Sequence, residues 1–312
     1  MKTCKRRIYS MGTFAAIAAI FAVVFMDCRI TVEQTTGEQT PTVEVKMVRV
    51  EGGSFEMGKD LGTAAVKDLT LHTVTLSGFS ISKYPVTQAQ YQAVMGSNPS
   101  FFSSNPASGE VQGKRPVDSV NWYNAIVFCN KLSRLEGLSP AYSINNSTDP
   151  SAWGDVPASD GGNDDWDAVQ IVSGSDGYRL PTEAQWEYAA KGGDQSAEGW
   201  VGYTYSGSDT VGDVAWCSGN SNGITHEVGK KAHNRLGLYD MSGNVYEWCW
   251  DWFEGYSGET QTDPTGPVFG GSGRVLRGGS YFFFESSARS VYRTYGYSPY
   301  ADLKPGFRLV RP

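Results

Sequence analysis

Turn signals recur so densely after Val43 that mostly short elements fit between them. KMVRVEGGSFEMG reads as a strand, a Gly-Gly turn and a second strand, and LHTVTLSGFSISKYPVT as two more strands broken at Ser77-Gly78. Against 19% charged residues, the 37 glycines, 9 tryptophans and 17 tyrosines predict a loop-rich fold whose aromatic rings fill the space between irregular segments. A bundle of long helices is excluded. A 40% hydrophobic content over 312 residues is enough for a substantial core, in one large domain or two ordinary ones.

Helical stretches interrupt the strands. Thr87 precedes AQYQAVMG as an N-cap, with Gly96 as the stop. Ser119 to Leu135 carries Trp122, Ile126, Cys129 and Leu132 at three- and four-residue spacing, which predicts a helix facing a core. In RLPTEAQWEYAAKGG, Pro181 marks a turn, Thr182 a cap and Gly192 an end. Residues 143–177, rich in Asn, Asp, Ser and Gly, read as a long irregular excursion. No fixed-period repeat appears, which disfavours solenoids and propellers.

The amino end reads differently. Lys2, Lys5, Arg6 and Arg7 precede a mostly apolar run from Ile8 to Met26, the order of an export signal. Cys28 follows directly and resembles the lipid-modified cysteine of bacterial lipoproteins, which predicts residues 1–28 as a lipoprotein signal and a chain held at the cell envelope by its acyl group alone. Phe25, Met26 and Asp27 replace the small residue usual before such a cysteine, which leaves an uncleaved membrane helix or ordinary cleavage as alternatives. Residues 29–44 form a polar tether and residues 45–312 the folded domain.

Six ordered blocks carry a family resemblance: MVRVEGGSFEMG, SKYPVTQAQYQAVMG, RPVDSVNWYNAIVFCNKLS, YRLPTEAQWEYAAKGG, GLYDMSGNVYEWCWDW, and RVLRGGSY with a later GFRLV. Together they resemble the sulfatase-modifying, formylglycine-generating enzyme domain. The resemblance implies a single α+β domain of C-type-lectin-like fold with little regular secondary structure. The oxidases of that family place two cysteines five residues apart after GGS(W/Y), to activate dioxygen with copper and to exchange disulfides with substrate. Those positions fall on Phe283 and Ala288 here. Neither carries sulfur, so the oxidase chemistry is excluded at its reactive atoms and no catalytic cofactor is expected. An enzyme of the same family using other residues, and a structural envelope component, are the alternatives.

The last forty residues separate into framework and display. Arg274, Val275, Arg277 to Ser280, Arg289, Tyr292, Arg293 and Gly306 to Val310 match a framework whose arginines suit internal carboxylate pairs. Between them, Phe282, Phe283, Phe284, Ser286, Ser287, Thr294, Tyr295, Gly296, Tyr297, Tyr300, Ala301 and Asp302 follow no periodicity. This pattern resembles the variable proteins of diversity-generating retroelements, whose diversified carboxyl-terminal repeat runs from RGGSW to GFR on the same fold. Aromatic, serine and glycine residues suit recognition, because rigid rings supply contact area while small residues let the backbone adapt. Residues 281–302 hold a single Val and no Leu or Ile, so some rings are expected to face solvent or a ligand.

Further expectations concern metals and partners. DMSGNVYEW resembles a family calcium loop, in which Asp240 and Glu247 would give carboxylates and Gly243 and Val245 carbonyl oxygens to a structural Ca2+. The alternative is that Asp240 caps a turn and Glu247 pairs with an arginine such as Arg277. Cys129, Cys217 and Cys249, and the histidines His72, His226 and His233, read as packing or hydrogen-bonded residues. A formal net charge of -7 without a Lys/Arg cluster excludes nucleic acid as the main partner. A monomer binding a protein, peptide or glycan is the expectation.

Overall fold

The computed structural model describes residues 43–59, 70–158, 164–268, 273–299 and 304–312. The export segment, Cys28, Tyr300, Ala301 and Asp302 lie outside the described residues. Local signals set the helices. Thr87 accepts the Gln90 amide while the Gln90 side chain reaches back to the Thr87 amide, and this capping box opens α1 (Gln88–Met95), which Gly96 ends at φ 82°. Thr182 and Gln185 repeat the device at α3 (Glu183–Ala190). The central helix, α2 (Trp122–Leu135), starts three residues later than Ser119. Ser119 has a left-handed backbone, φ 60°, so Asn121 takes the cap instead. Trp122, Ile126, Cys129 and Leu132 are all fully buried, as their spacing requires.

The early strands pair in a nested order. β1 (Met47–Val50) lies antiparallel to β4 (Phe79–Ser82), and β2 (Gly53–Met57) to β3 (His72–Leu76), so the Gly-Gly and Ser77-Gly78 turns carry the chain between two sheets. A third sheet positions the site. Its central strand β5 (Tyr246–Trp252) is flanked by β7 (Arg274–Arg277) and by β9 (Pro305–Gly306), and β8 (Arg293–Gly296) forms the edge beyond β7. Two further strands, β6 (Gln261–Thr262) and β10 (Val310–Arg311), complete the second and first sheets. The irregular excursion contributes to the core through Trp153 and Trp166. Among the described residues no helix is long and apolar enough to cross a membrane.

Buried ion pairs tie the layers together. Arg277 binds Glu187 and approaches Glu183 at 3.6 Å, Arg293 holds Glu183 with two 2.7 Å bonds, and Arg308 grips Glu247. Arg274 departs from the predicted carboxylate pairing. Its guanidinium lies 3.8 Å from the ring centres of both Trp122 and Trp252, so aromatic faces and the Trp250 carbonyl replace an acid there.

Candidate aromatic binding site

The site begins where β7 ends. Gly278 and Gly279 adopt φ 88° and 74°, which lets the chain leave the sheet and double back. A Cβ on Gly279 would lie 2.7 Å from the Ser287 carbonyl oxygen, so no larger residue fits the crossing. The backbone that follows is pinned at each step. The Tyr281 amide donates to Asn244 O at 2.8 Å, Ser221 Oγ donates to Tyr281 O at 2.7 Å, and the Ser218 amide donates to Phe283 O at 2.9 Å. On this fixed backbone the rings diverge: Tyr281 is buried, Phe283 half-buried, and Phe282 and Phe284 are 60% and 78% exposed.

A cavity of about 280 Å3 opens beside Phe283. The strand register explains its floor, because Trp248, Leu276 and Thr294 stand opposite one another on neighbouring strands and share one face. Tyr246, two residues before Trp248 on β5, extends that face and packs edge-on to Phe283 at 5.4 Å. Tyr295 and Tyr297, 40% and 55% exposed, also border it, with their rings perpendicular at 5.9 Å and the Tyr295 ring 5.1 Å from Phe253. Lys304 Nζ lies 5.5 Å from the ring centres of both Phe282 and Phe283. The result is a small aromatic cleft in which Lys304 is the one charged side chain among the described lining residues.

Gly296 belongs to the floor. A Cβ at this position would sit 2.5 Å from the Trp248 ring and 3.2 Å from Leu276, both buried. Gly296→Ala is therefore expected to cost about 1–3 kcal/mol through overpacking. Urea denaturation of the two proteins checks this, and a change below a few tenths would show that the tryptophan yields freely.

The structure thus brings Phe283, Thr294, Tyr295, Gly296 and Tyr297 around one cleft, with Phe282 against its rim. Phe284 and Ser286 are exposed but outside the lining. Ser287 is a correction. It is buried, and its hydroxyl donates to Phe284 O at 2.7 Å, so it closes the turn and is not displayed. Ala288 is buried too, packed with Tyr205, Val214 and Ala215. Two contributions were missed from the sequence. Tyr246 and Trp248 were legible in NVYEWCWDW as alternating positions of one strand face, whereas Phe101 and Phe102 come from a distant loop, with Phe102 edge-on to Tyr281 at 5.0 Å. The aromatic pair flanked by serines in SFFSS was their only signal.

The two acids of the calcium expectation have protein partners. Both Glu247 oxygens accept from Arg308, and Trp186 Nε1 donates to Oε2 at 2.6 Å. Asp240 accepts from the Gly229 amide at 2.7 Å and from the Asn244 amide side chain at 3.3 Å. Glu247 thus has an arginine as its partner, and its carboxylate offers Ca2+ no free oxygen, so Asp240, Gly243 and Val245 would have to hold the ion without it. Burial pushes the Asp240 carboxyl up to about 6. Incubation with a chelator is expected to leave the melting temperature unchanged to within about a degree, since a ligand bound to the folded state alone would raise it. A drop of several degrees, reversed by added calcium, would overturn this assignment.

Cys129, Cys217 and Cys249 are buried free thiols, and burial pushes Cys129 and Cys249 further toward the inert thiol form. His226 stacks on Trp216 at 3.8 Å and meets Glu110 at 2.8 Å, a packed and hydrogen-bonded position. Among the described residues no group of three His, Cys, Asp or Glu side chains could hold a metal ion.

The fold agrees with known proteins. The chain belongs to the family of sulfatase-modifying factor enzyme 1-like domains, which it matches over residues 33–312. It is similar to Treponema denticola variable protein 1, with 40% identity and a TM-score of 0.77 over 88% of this chain and 97% of that one. Chaperone protein LppX of Paenibacillus barcinonensis is 42% identical over 229 residues, 68% of this chain and 73% of that protein. The formylglycine-generating enzyme of Thermomonospora curvata is 31% identical over 272 residues, 77% of this chain and 84% of the enzyme.

Proposed function

We propose that this chain is a non-enzymatic binding protein, exported and lipid-anchored through Cys28, that recognises a ligand with the aromatic surface of its carboxyl-terminal segment. The observation that carries the reading is the exposure of four aromatic rings on the carboxyl-terminal segment. Phe282, Phe284, Tyr295 and Tyr297 are exposed near a cleft lined by Phe283 at the family's cysteine position. Such rings contribute on the order of 2–3 kcal/mol each when buried by a partner, so a few of them suffice for micromolar binding. The likeness to Treponema denticola variable protein 1 supports placing it with the variable proteins of diversity-generating retroelements.

Three tests bear on the parts separately. Purified protein with copper and a cysteine-bearing peptide is expected to yield no aldehyde, and aldehyde formation would sink the binding reading in favour of catalysis. Sequencing beside the gene is expected to find a reverse transcriptase and a near-copy of the 3′ end with adenines at the displayed codons; finding neither removes diversification and leaves binding intact. Mass spectrometry of the mature amino end is expected to show an acylated Cys28. An unmodified end would withdraw the anchor.

A further inference from the structure

Resting on that reading, we infer that the binding surface has a second half, the loop 98–105 with Phe101 at its tip, and that its partner is an extended segment of another polypeptide presenting apolar side chains. Phe101 is 61% exposed, a condition that needs explaining because its loop is not loose. Its amide donates to Asp118 Oδ1 at 2.7 Å, Gln88 and Gln112 both donate to Phe102 O at 3.1 and 2.7 Å, and Arg115 donates to Ser104 O at 3.2 Å. Gln88, Arg115 and Asp118 are buried. Buried polar side chains thus clamp the loop backbone while its apolar ring points into solvent. That is the construction of a preorganised anchor, in which little conformational freedom remains to be lost on binding.

Continuity joins this anchor to the cleft. Successive ring contacts run from Phe101 to Phe102 at 5.1 Å, to Tyr281 at 5.0 Å, to Phe282 at 6.2 Å and to Phe283 at 5.8 Å, where the cleft begins. The cleft itself, about 280 Å3, is at or below the low end of the range for small-molecule pockets and holds about one large side chain. Followed ring to ring, with Tyr281 buried between its exposed ends, this path spans at most about six residues of extended chain at roughly 3.3–3.6 Å each. A monosaccharide or similar compact ligand could touch one end only. Phe101 lies far from the carboxyl-terminal segment in sequence, so it would stay constant while the displayed positions choose among partners.

A phage-displayed library of random twelve-residue peptides, panned on the native exported chain, tests this, with a glycan array as the second arm. Enrichment of peptides rich in aromatic or aliphatic residues is expected. The recovered peptides are then titrated against Phe101→Ser, Phe282→Ala and, as a distant exposed control, Val201→Ser. Phe101→Ser and Phe282→Ala are each expected to weaken binding about tenfold or more, the scale of an aromatic hot spot, with unchanged melting temperature, and the control is expected to bind as wild type. Loss with Phe282→Ala but not with Phe101→Ser overturns the second half of the surface and leaves the binding function standing. Loss with neither overturns both. Failure to enrich any peptide, with or without hits on the glycan array, overturns the polypeptide partner.

Discussion

Glu187→Ala is expected to lower folding stability by about 3–5 kcal/mol, the scale seen when one member of a buried ion network is removed and its partners stay charged. Glu187 lies in α3 with no exposed surface, and each oxygen is engaged. Oε1 accepts from Lys191 Nζ at 2.7 Å and from the Gly58 amide at 2.8 Å, while Oε2 meets Arg277. The two cations hold the carboxyl below its usual range even though burial alone would raise it. Without the acid, Arg277 keeps its charge in the core with only Glu183 beside it. The damage would not stop there, because Arg277 also donates to the carbonyls of Val291 and Tyr292 at 2.9 and 2.6 Å, the backbone leading into β8 and the cleft. Urea denaturation followed by tryptophan fluorescence measures the loss. A shift under about 1 kcal/mol would mean that water reaches the network, and the account of the core given above would fail.

That network shows how far sequence can be read. The caps at Thr87 and Thr182 were legible because a capping box is a contact between residues three apart. The face of α2 was legible for the same reason, its period being local. The partners of the arginines were not. Arg308 and Glu247 are 61 residues apart and Arg277 and Glu187 are 90 apart, and a carboxylate does not announce which of several guanidinium groups the fold will deliver. Glu247 was paired in expectation with Arg277 or calcium; Arg308 reaches it because β10 and β9 bring the last residues back beside β4 and β5.

The site divides along the same line. The exposure of Phe282, Phe284, Tyr295 and Tyr297 followed from composition, since a run of aromatics without aliphatic neighbours is not a core sequence. Ser287 escaped that logic because serine serves equally in a displayed loop and in a turn that closes on its own backbone. Phe101 and Phe102 escaped it because nothing in a loop fixes which distant segment it will meet, here Tyr281 against Phe102.

The pH response should reveal a second buried acid. Asp251 lies on β5, 6% exposed, and its Oδ2 accepts the Glu183 amide at 2.8 Å. Burial, reinforced by the Glu183 charge, pushes its carboxyl up to about 7. A raised carboxyl pKa means that the folded protein binds this proton more tightly than the unfolded chain. Below about pH 4 both states hold it, and the group adds no slope. From there to about pH 7 the unfolded chain ionises first, so stability falls as pH rises, reaching a full cost on the order of 4 kcal/mol above pH 7. Asp251→Asn keeps an acceptor for the Glu183 amide and removes the ionisation. Relative to wild type, the variant is therefore expected to gain about 2–3 kcal/mol between pH 5 and pH 8, because that part of the wild-type penalty falls in this window. Asp240, raised in the same direction, is present in both proteins and cancels from the difference. Urea denaturation of both proteins at the two pH values gives the answer, and a wild-type-to-variant difference that does not change with pH would show that Asp251 ionises as freely in the folded protein as out of it.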